Sequence, residues 1–110
     1  MIGKMKSILI DAKYSCYCAL CGRPLENKTV HHLIFGSDRK RADEDGLTIP
    51  ICDNCHTKNP VAQRIHGNSA AEDLSKMLGQ IALEKHYVAQ GATEHEAREL
   101  FRKRYGKSFL

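Results

Sequence analysis

Cys18-Ala19-Leu20-Cys21, answered further along by Cys52-Asp53-Asn54-Cys55-His56, decides how this chain folds. Each two-residue spacer lets a tight turn aim both sulfurs of a pair at one point, so together the pairs offer four thiolates to a tetrahedral zinc. A structural Zn²⁺ held by Cys18, Cys21, Cys52 and Cys55 is the first expectation. Between the pairs runs Thr29-Val30-His31-His32-Leu33-Ile34-Phe35, an apolar segment interrupted by adjacent histidines. A closed four-thiolate site needs no nitrogen ligand. His31, His32, His56 and His66 are therefore left over, inside or just past the segment that the zinc would tie together, and they point to a second, different site.

With 110 residues the chain makes one domain, near the size at which a metal staple supplies much of the stability. No stretch approaches the roughly 20 apolar residues of a membrane span. The run Ser7-Ile8-Leu9-Ile10 stops at Asp11, too short for a secretory core. A cytoplasmic protein with no membrane partner is expected, and there paired cysteines read as thiolates rather than disulfides. Cys16 stands outside the site, because Cys16-Tyr17-Cys18 is too tightly spaced for a metal knuckle. The formal charge of +4 is modest, and a four-thiolate zinc would cancel part of it. Its distribution says more: Arg98, Arg102, Lys103, Arg104 and Lys107 crowd the C-terminus, either as phosphate contacts or as a solvated helix face.

Outward from the cysteines the pattern is α+β. Residues 14–23 form the first cysteine turn, with Gly22 supplying backbone freedom. Residues 28–35 and 47–51 are β-branched and apolar enough for two antiparallel strands, Pro50 lying at an edge or end. Their connection, 36–46, is charged and bracketed by glycines, which is loop chemistry. A short helix can begin at Asp53 and carry Cys55 and His56, and Asn59-Pro60 is either a break or a fresh N-cap with proline at the first helical position. Ser69 with Glu72 makes a capping box for a helix to about Val88, with Leu74, Met77, Leu78, Ile81 and Ala82 as its apolar stripe. Thr93 with Glu96 repeats the box before a last helix that packs Ala97, Leu100, Phe101 and Tyr105 and ends at Gly106. Residues 14–67 would be the zinc-bound core and 69–106 a helical extension.

Strand, loop, strand and a helix opening at the second cysteine pair, with adjacent histidines on the first strand and one on the helix, resembles the ββα-metal nucleases of the HNH type. The likeness spans roughly residues 16–67. More narrowly, His32-Leu33-Ile34-Phe35-Gly36, Arg39-Lys40, Glu44-Asp45-Gly46-Leu47, His66 and Tyr105-Gly106-Lys107-Ser108 are similar to small phage and prophage HNH-like proteins, some of whose relatives are recombination-associated nucleases. The resemblance implies a zinc-stabilised ββα-metal (HNH) core with a C-terminal helical extension. It implies His32 as general base, and His31 and His56 on one divalent cation, with His66 a third ligand or a phosphate contact. That cation would be Mg²⁺, Mn²⁺, Ni²⁺ or Zn²⁺, the activity DNA cleavage, and the setting a bacterial host cell.

Adjacent residues on a regular strand face opposite ways, so His31 and His32 can serve one phosphate only at a bulge or strand end. Arg39, Lys40 and Arg41 between the strands, with Arg102, Lys103 and Arg104 near the C-terminus, are the candidate DNA-backbone contacts. A homodimer would suit duplex cleavage, since one site cuts one strand. One position departs from the HNH pattern: the asparagine usual before the second strand is replaced here by Asp45, which can accept hydrogen bonds but not donate them when ionised. The alternative is a non-catalytic, zinc-dependent nucleic-acid-binding module.

Overall fold

The computed structural model describes residues 7–27 and 29–110, so the expected strand start at Lys28 lies outside the described residues. The first cysteine pair sits in a small hairpin in which Tyr17 bridges Pro24. Cys18 N–H donates to Arg23 O and Leu25 N–H to Cys16 O, both at 2.8 Å. Gly22 turns the hairpin at φ +77°, a backbone state that a side chain disfavours.

Two three-residue strands follow, β1 (Val30–His32) and β2 (Thr48–Pro50), antiparallel with His31 opposite Ile49 and His32 opposite Thr48. β1 stops at His32, so the histidine pair does lie at a strand end. Pro50 is the last residue of β2, where a missing N–H costs nothing, and its carbonyl accepts from Ala19 N–H at 2.9 Å, tying the first hairpin to the sheet.

The connection expected to be a loop is partly helical. A 3₁₀ turn (Gly36–Asp38) leads into α1 (Arg39–Glu44). Its residues are mostly good helix formers, and Ala42, wholly buried, anchors the turn to the core while the charges point outward. The bracketing glycines, Gly36 and Gly46, both take positive φ. After β2 a single wide helical turn, Asn54–Lys58, carries Cys55 and His56 and is closed by Asn59 N–H to Asn54 O at 2.9 Å.

Two longer helices complete the chain, α2 (Ser69–Ala89) and α3 (Glu94–Tyr105). α3 has the expected capping box at Thr93 and Glu96, and Gly106 ends it at φ +81°. At α2 the cap falls one residue earlier than expected. Asn68 accepts from Ala71 N–H at 3.2 Å, and Glu72 accepts from Gly67 N–H at 3.1 Å instead of closing a box on Ser69. Asn caps as well as Ser, so the earlier residue takes the position.

Of the expected apolar stripe of α2, Ala82 packs against the main core and Met77 is partly buried, but the other three members are corrected. Leu74, Leu78 and Ile81 are 63, 43 and 51 % exposed, and the buried line is Ser75, Gly79, Gln80 and Leu83. A Cβ on Gly79 would lie 3.0 Å from Ile34 Cγ1 and 3.2 Å from Leu33 Cβ, so α2 approaches the end of β1 through its smallest residue. The buried polar groups on this face are hydrogen-bonded, as burial requires: Gln80 donates to Glu84 and Ser108 and accepts from Phe109 N–H. Leu100 on α3 is likewise exposed, whereas Ala97, Phe101 and Tyr105 are buried as expected.

The main core joins Leu33, Ile34, Ala42, Leu47, Ile49, Leu83, Phe101 and Tyr105. A second cluster, Cys18, Ile51, Cys55 and Ile65, surrounds the cysteine site. Mixed helices and a two-stranded sheet beside a four-cysteine cluster fit an HNH α+β fold. Among the described residues no helix is long and apolar enough to cross a membrane.

Candidate metal centres

The first hairpin and the turn after β2 bring Cys18, Cys21, Cys52 and Cys55 together with all four sulfurs within 4.8 Å of one another. Cys21 Sγ lies 3.7 Å from Cys52 Sγ. Zinc–sulfur bonds of about 2.3 Å in a regular tetrahedron give edges of roughly 3.8 Å, so this pair already stands at a ligand spacing. No sulfur is in a disulfide. Leu20 N–H donates to Cys18 Sγ and Cys55 N–H to Cys52 Sγ. Burial pushes the Cys18 thiol up, but backbone N–H groups of Cys21, Cys52 and Leu20 outweigh it and bring the value down to about 6. Burial and the neighbouring sulfurs push Cys55 the other way, well above the ordinary thiol range. A dication among the four sulfurs would favour the thiolate forms that bind it. The set fits a structural zinc.

The second cluster is made of nitrogen. One ring nitrogen each from His31, His56 and His66 lies within 4.8 Å of the others, with ring centroids 4.5–5.3 Å apart. Each comes from a different place: His31 from β1, His56 from the helical turn after the second cysteine pair, His66 from the segment leading to α2. Backbone pairing holds the last two side by side, through Ile65 N–H to Cys55 O at 3.0 Å and His66 N–H to His56 O at 3.1 Å. The cysteine site therefore positions His56 covalently and His66 through one pair of hydrogen bonds.

His31 has no exposed surface, and its Nδ1 is buried without a hydrogen-bond partner among the described residues. An orphaned buried nitrogen is costly unless something occupies its lone pair. Burial, reinforced by His56, His66 and His32, lowers the His31 value to about 3, which keeps the ring neutral. Burial and then His66 also lower His56. Neutral imidazole is the metal-binding form. Three imidazoles fit a divalent cation and leave coordination positions open, unlike the closed sulfur site.

His32, next along the strand, is not one of the three clustered imidazoles. Its Nε2 lies 3.0 Å from Asp43 Oδ1 on α1. Asp45, on the approach to β2, serves another purpose. It accepts from Arg104 Nε at 3.0 Å, Arg104 Nη2 at 3.1 Å and the Tyr105 hydroxyl at 2.7 Å, fastening α3 to the approach to β2. The carboxylate beside His32 is Asp43.

The basic residues divide. Arg41 pairs with Asp38, Arg102 with Glu99, and Arg104 with Asp45 and Glu44. Arg39, Lys40 and Lys103 form no ion pair among the described residues. Lys76 on α2 was not among the sequence candidates. Its ammonium lies 5.0 Å from the ring centre of Phe35, and that ring stands 4.9 Å from His66 and 5.7 Å from His31. Lys76 is thus a cation at the rim of the histidine cluster, without an ion-pair partner among the described residues.

Compared with known families, residues 18–60 match the family described as HNH endonuclease. The match takes in both cysteine pairs, His31, His32 and His56, and ends before His66 and α2. No curated protein and no solved structure matched the chain.

Proposed function

We propose that this chain is a metal-dependent endonuclease that hydrolyses phosphodiester bonds in DNA, with the four-cysteine zinc as architecture and the histidine cluster as the working site. The observation that carries the proposal is the convergence of His31, His56 and His66 on one point, with a buried, unpartnered nitrogen among them, inside and just beyond a segment that matches HNH endonucleases. A bound divalent cation would supply charge stabilisation on the phosphate and on the departing 3′ oxygen.

The chain's own residues do the rest. An ionised Asp43 can only accept, so a neutral His32 gives it Nε2–H and keeps the lone pair on Nδ1. That lone pair is the general base, taking the proton of the attacking water. Lys76 contacts the phosphate, and Arg39, Lys40 and Lys103 follow the DNA backbone. We place this activity in DNA metabolism or recombination in a bacterial cell, the setting that the sequence resemblance to small phage and prophage HNH-like proteins implies, with two copies acting on the two strands of a duplex.

One observation favours a non-catalytic, DNA-binding module: the asparagine position is occupied by an aspartate committed to Arg104 and Tyr105. Nicking of supercoiled plasmid with added Mg²⁺ or Mn²⁺ separates the two readings. The nuclease loses metal-stimulated nicking in His32→Ala while zinc content and fold persist. Salt-sensitive binding with no nicking by the wild type would support the binding module instead.

A further inference from the structure

We propose that Ser75, on α2 and outside the segment that matches HNH endonucleases, is a positioning residue that fixes the tautomer and orientation of His31 and so makes Nδ1 its ligand atom. This rests on the metal-site reading above. Two contacts of Ser75 Oγ carry it. One is to Leu33 O at 2.7 Å, the other to His31 Nε2 at 2.7 Å.

Leu33 O is a carbonyl and can only accept, so the single hydroxyl proton of Ser75 goes there. Toward His31 the serine can then only accept, and Nε2 must carry a proton. In a neutral imidazole that leaves the lone pair on Nδ1, the atom that is buried and has no hydrogen-bond partner among the described residues. Ser75 and His31 are both buried, so water does not compete for either bond.

Two features of the fold make the arrangement available. β1 ends at His32, which frees the Leu33 carbonyl from the strand ladder. Gly79, one turn further along α2, brings the helix against Leu33 and Ile34 closely enough for a serine to reach. The helical extension is then part of the metal site.

Loss of such an outer hydrogen bond to a metal-ligating histidine typically costs about 10–100-fold in metal affinity. The test uses the full chain loaded with zinc, with Ni²⁺ as probe, followed by calorimetry in wild type, Ser75→Ala, Ser75→Thr and His31→Ala. His31→Ala identifies the uptake that belongs to this site. The expected result is Ni²⁺ affinity about 10–100-fold weaker in Ser75→Ala, with zinc content and melting temperature retained, and recovered in Ser75→Thr, which keeps the hydroxyl.

Imidazole ¹⁵N spectra of the wild type before Ni²⁺ is added should show His31 protonated at Nε2 and bare at Nδ1. This second readout stands even if Ser75→Ala does not fold. The opposite tautomer, or an unchanged Ni²⁺ affinity in folded Ser75→Ala, overturns the proposal, as does wild-type uptake that does not depend on His31. Ni²⁺ bound through His31 by a protein that nicks no DNA would sink the nuclease reading alone.

Discussion

Replacing Asp45 by asparagine would restore the residue usual in HNH proteins, and the structure predicts that it would damage this one. Three donors converge on the two Asp45 oxygens, two from Arg104 at 3.0 and 3.1 Å and one from Tyr105 at 2.7 Å. An amide offers one oxygen and turns its NH₂ toward groups that themselves donate. At least one donor loses its acceptor, and the charge assistance disappears. A hydrogen bond to a charged group contributes about 1.5–3 kcal/mol, and a partly solvated ion pair adds at most about 1. The Tyr105 hydroxyl lies in the buried part of this contact and the Arg104 guanidinium is partly solvated, which sets the expected loss at about 2–4 kcal/mol. At roughly 5 °C per kcal/mol in a domain of this size, the melting point of the zinc-loaded protein should fall by about 10–20 °C. Circular dichroism of wild type, Asp45→Asn, Tyr105→Phe and the double variant measures it, and the two changes should be strongly non-additive. An unchanged melting point, or faster nicking without loss of stability, would refute the assignment of Asp45 as the anchor of α3.

Cys55→Ser should lose zinc and unfold, because apparent structural-zinc binding of about 10–16 kcal/mol exceeds the whole stability of most small domains; zinc release followed with a colorimetric chelator, alongside circular dichroism, checks it. Gly79→Ala gains about 1 kcal/mol of helix propensity but forces a methyl to 3.0 Å from a fully buried Ile34, at a cost of about 1–3 kcal/mol, so it should be neutral to destabilising, as urea denaturation would show. His31 also predicts acid sensitivity. Its value is lowered from 6.5 to about 3, so between those limits the unfolded chain binds a proton that the native protein refuses. Its contribution is complete above about pH 6.5 and is lost as pH falls toward 3. Urea midpoints from pH 7 to 5 should fall less steeply in His31→Gln than in wild type.

Much of the local architecture is legible in residue spacing. A two-residue spacer between cysteines constrains one turn, and a capping box constrains one helix end. That is why the sulfur cluster, the antiparallel pair and the start of α3 follow from reading along the chain. Helix α1 was hidden because a run of charges bounded by glycines reads as a solvated loop, and only the buried Ala42 reveals its contact with the core.

Helix α2 was misread for a different reason. Periodicity favours the line of Leu74, Leu78 and Ile81, whereas packing chose the line of Ser75, Gly79, Gln80 and Leu83, which is half polar. A close approach between backbones selects the smallest side chain, which hydropathy does not score.

By itself, then, the amino-acid order determined the chemistry available: four thiolates at knuckle spacing, an adjacent histidine pair, and two more histidines downstream. Tertiary structure alone decided their assignments. It turned His32 to Asp43, gave Asp45 to Arg104 and Tyr105, and set Ser75 and Lys76 of a distant helix beside the histidine cluster. The physical reason is range. Spacing rules act over a few residues through backbone geometry, whereas a hydrogen bond between residues 31 and 75 exists only once a whole helix has docked.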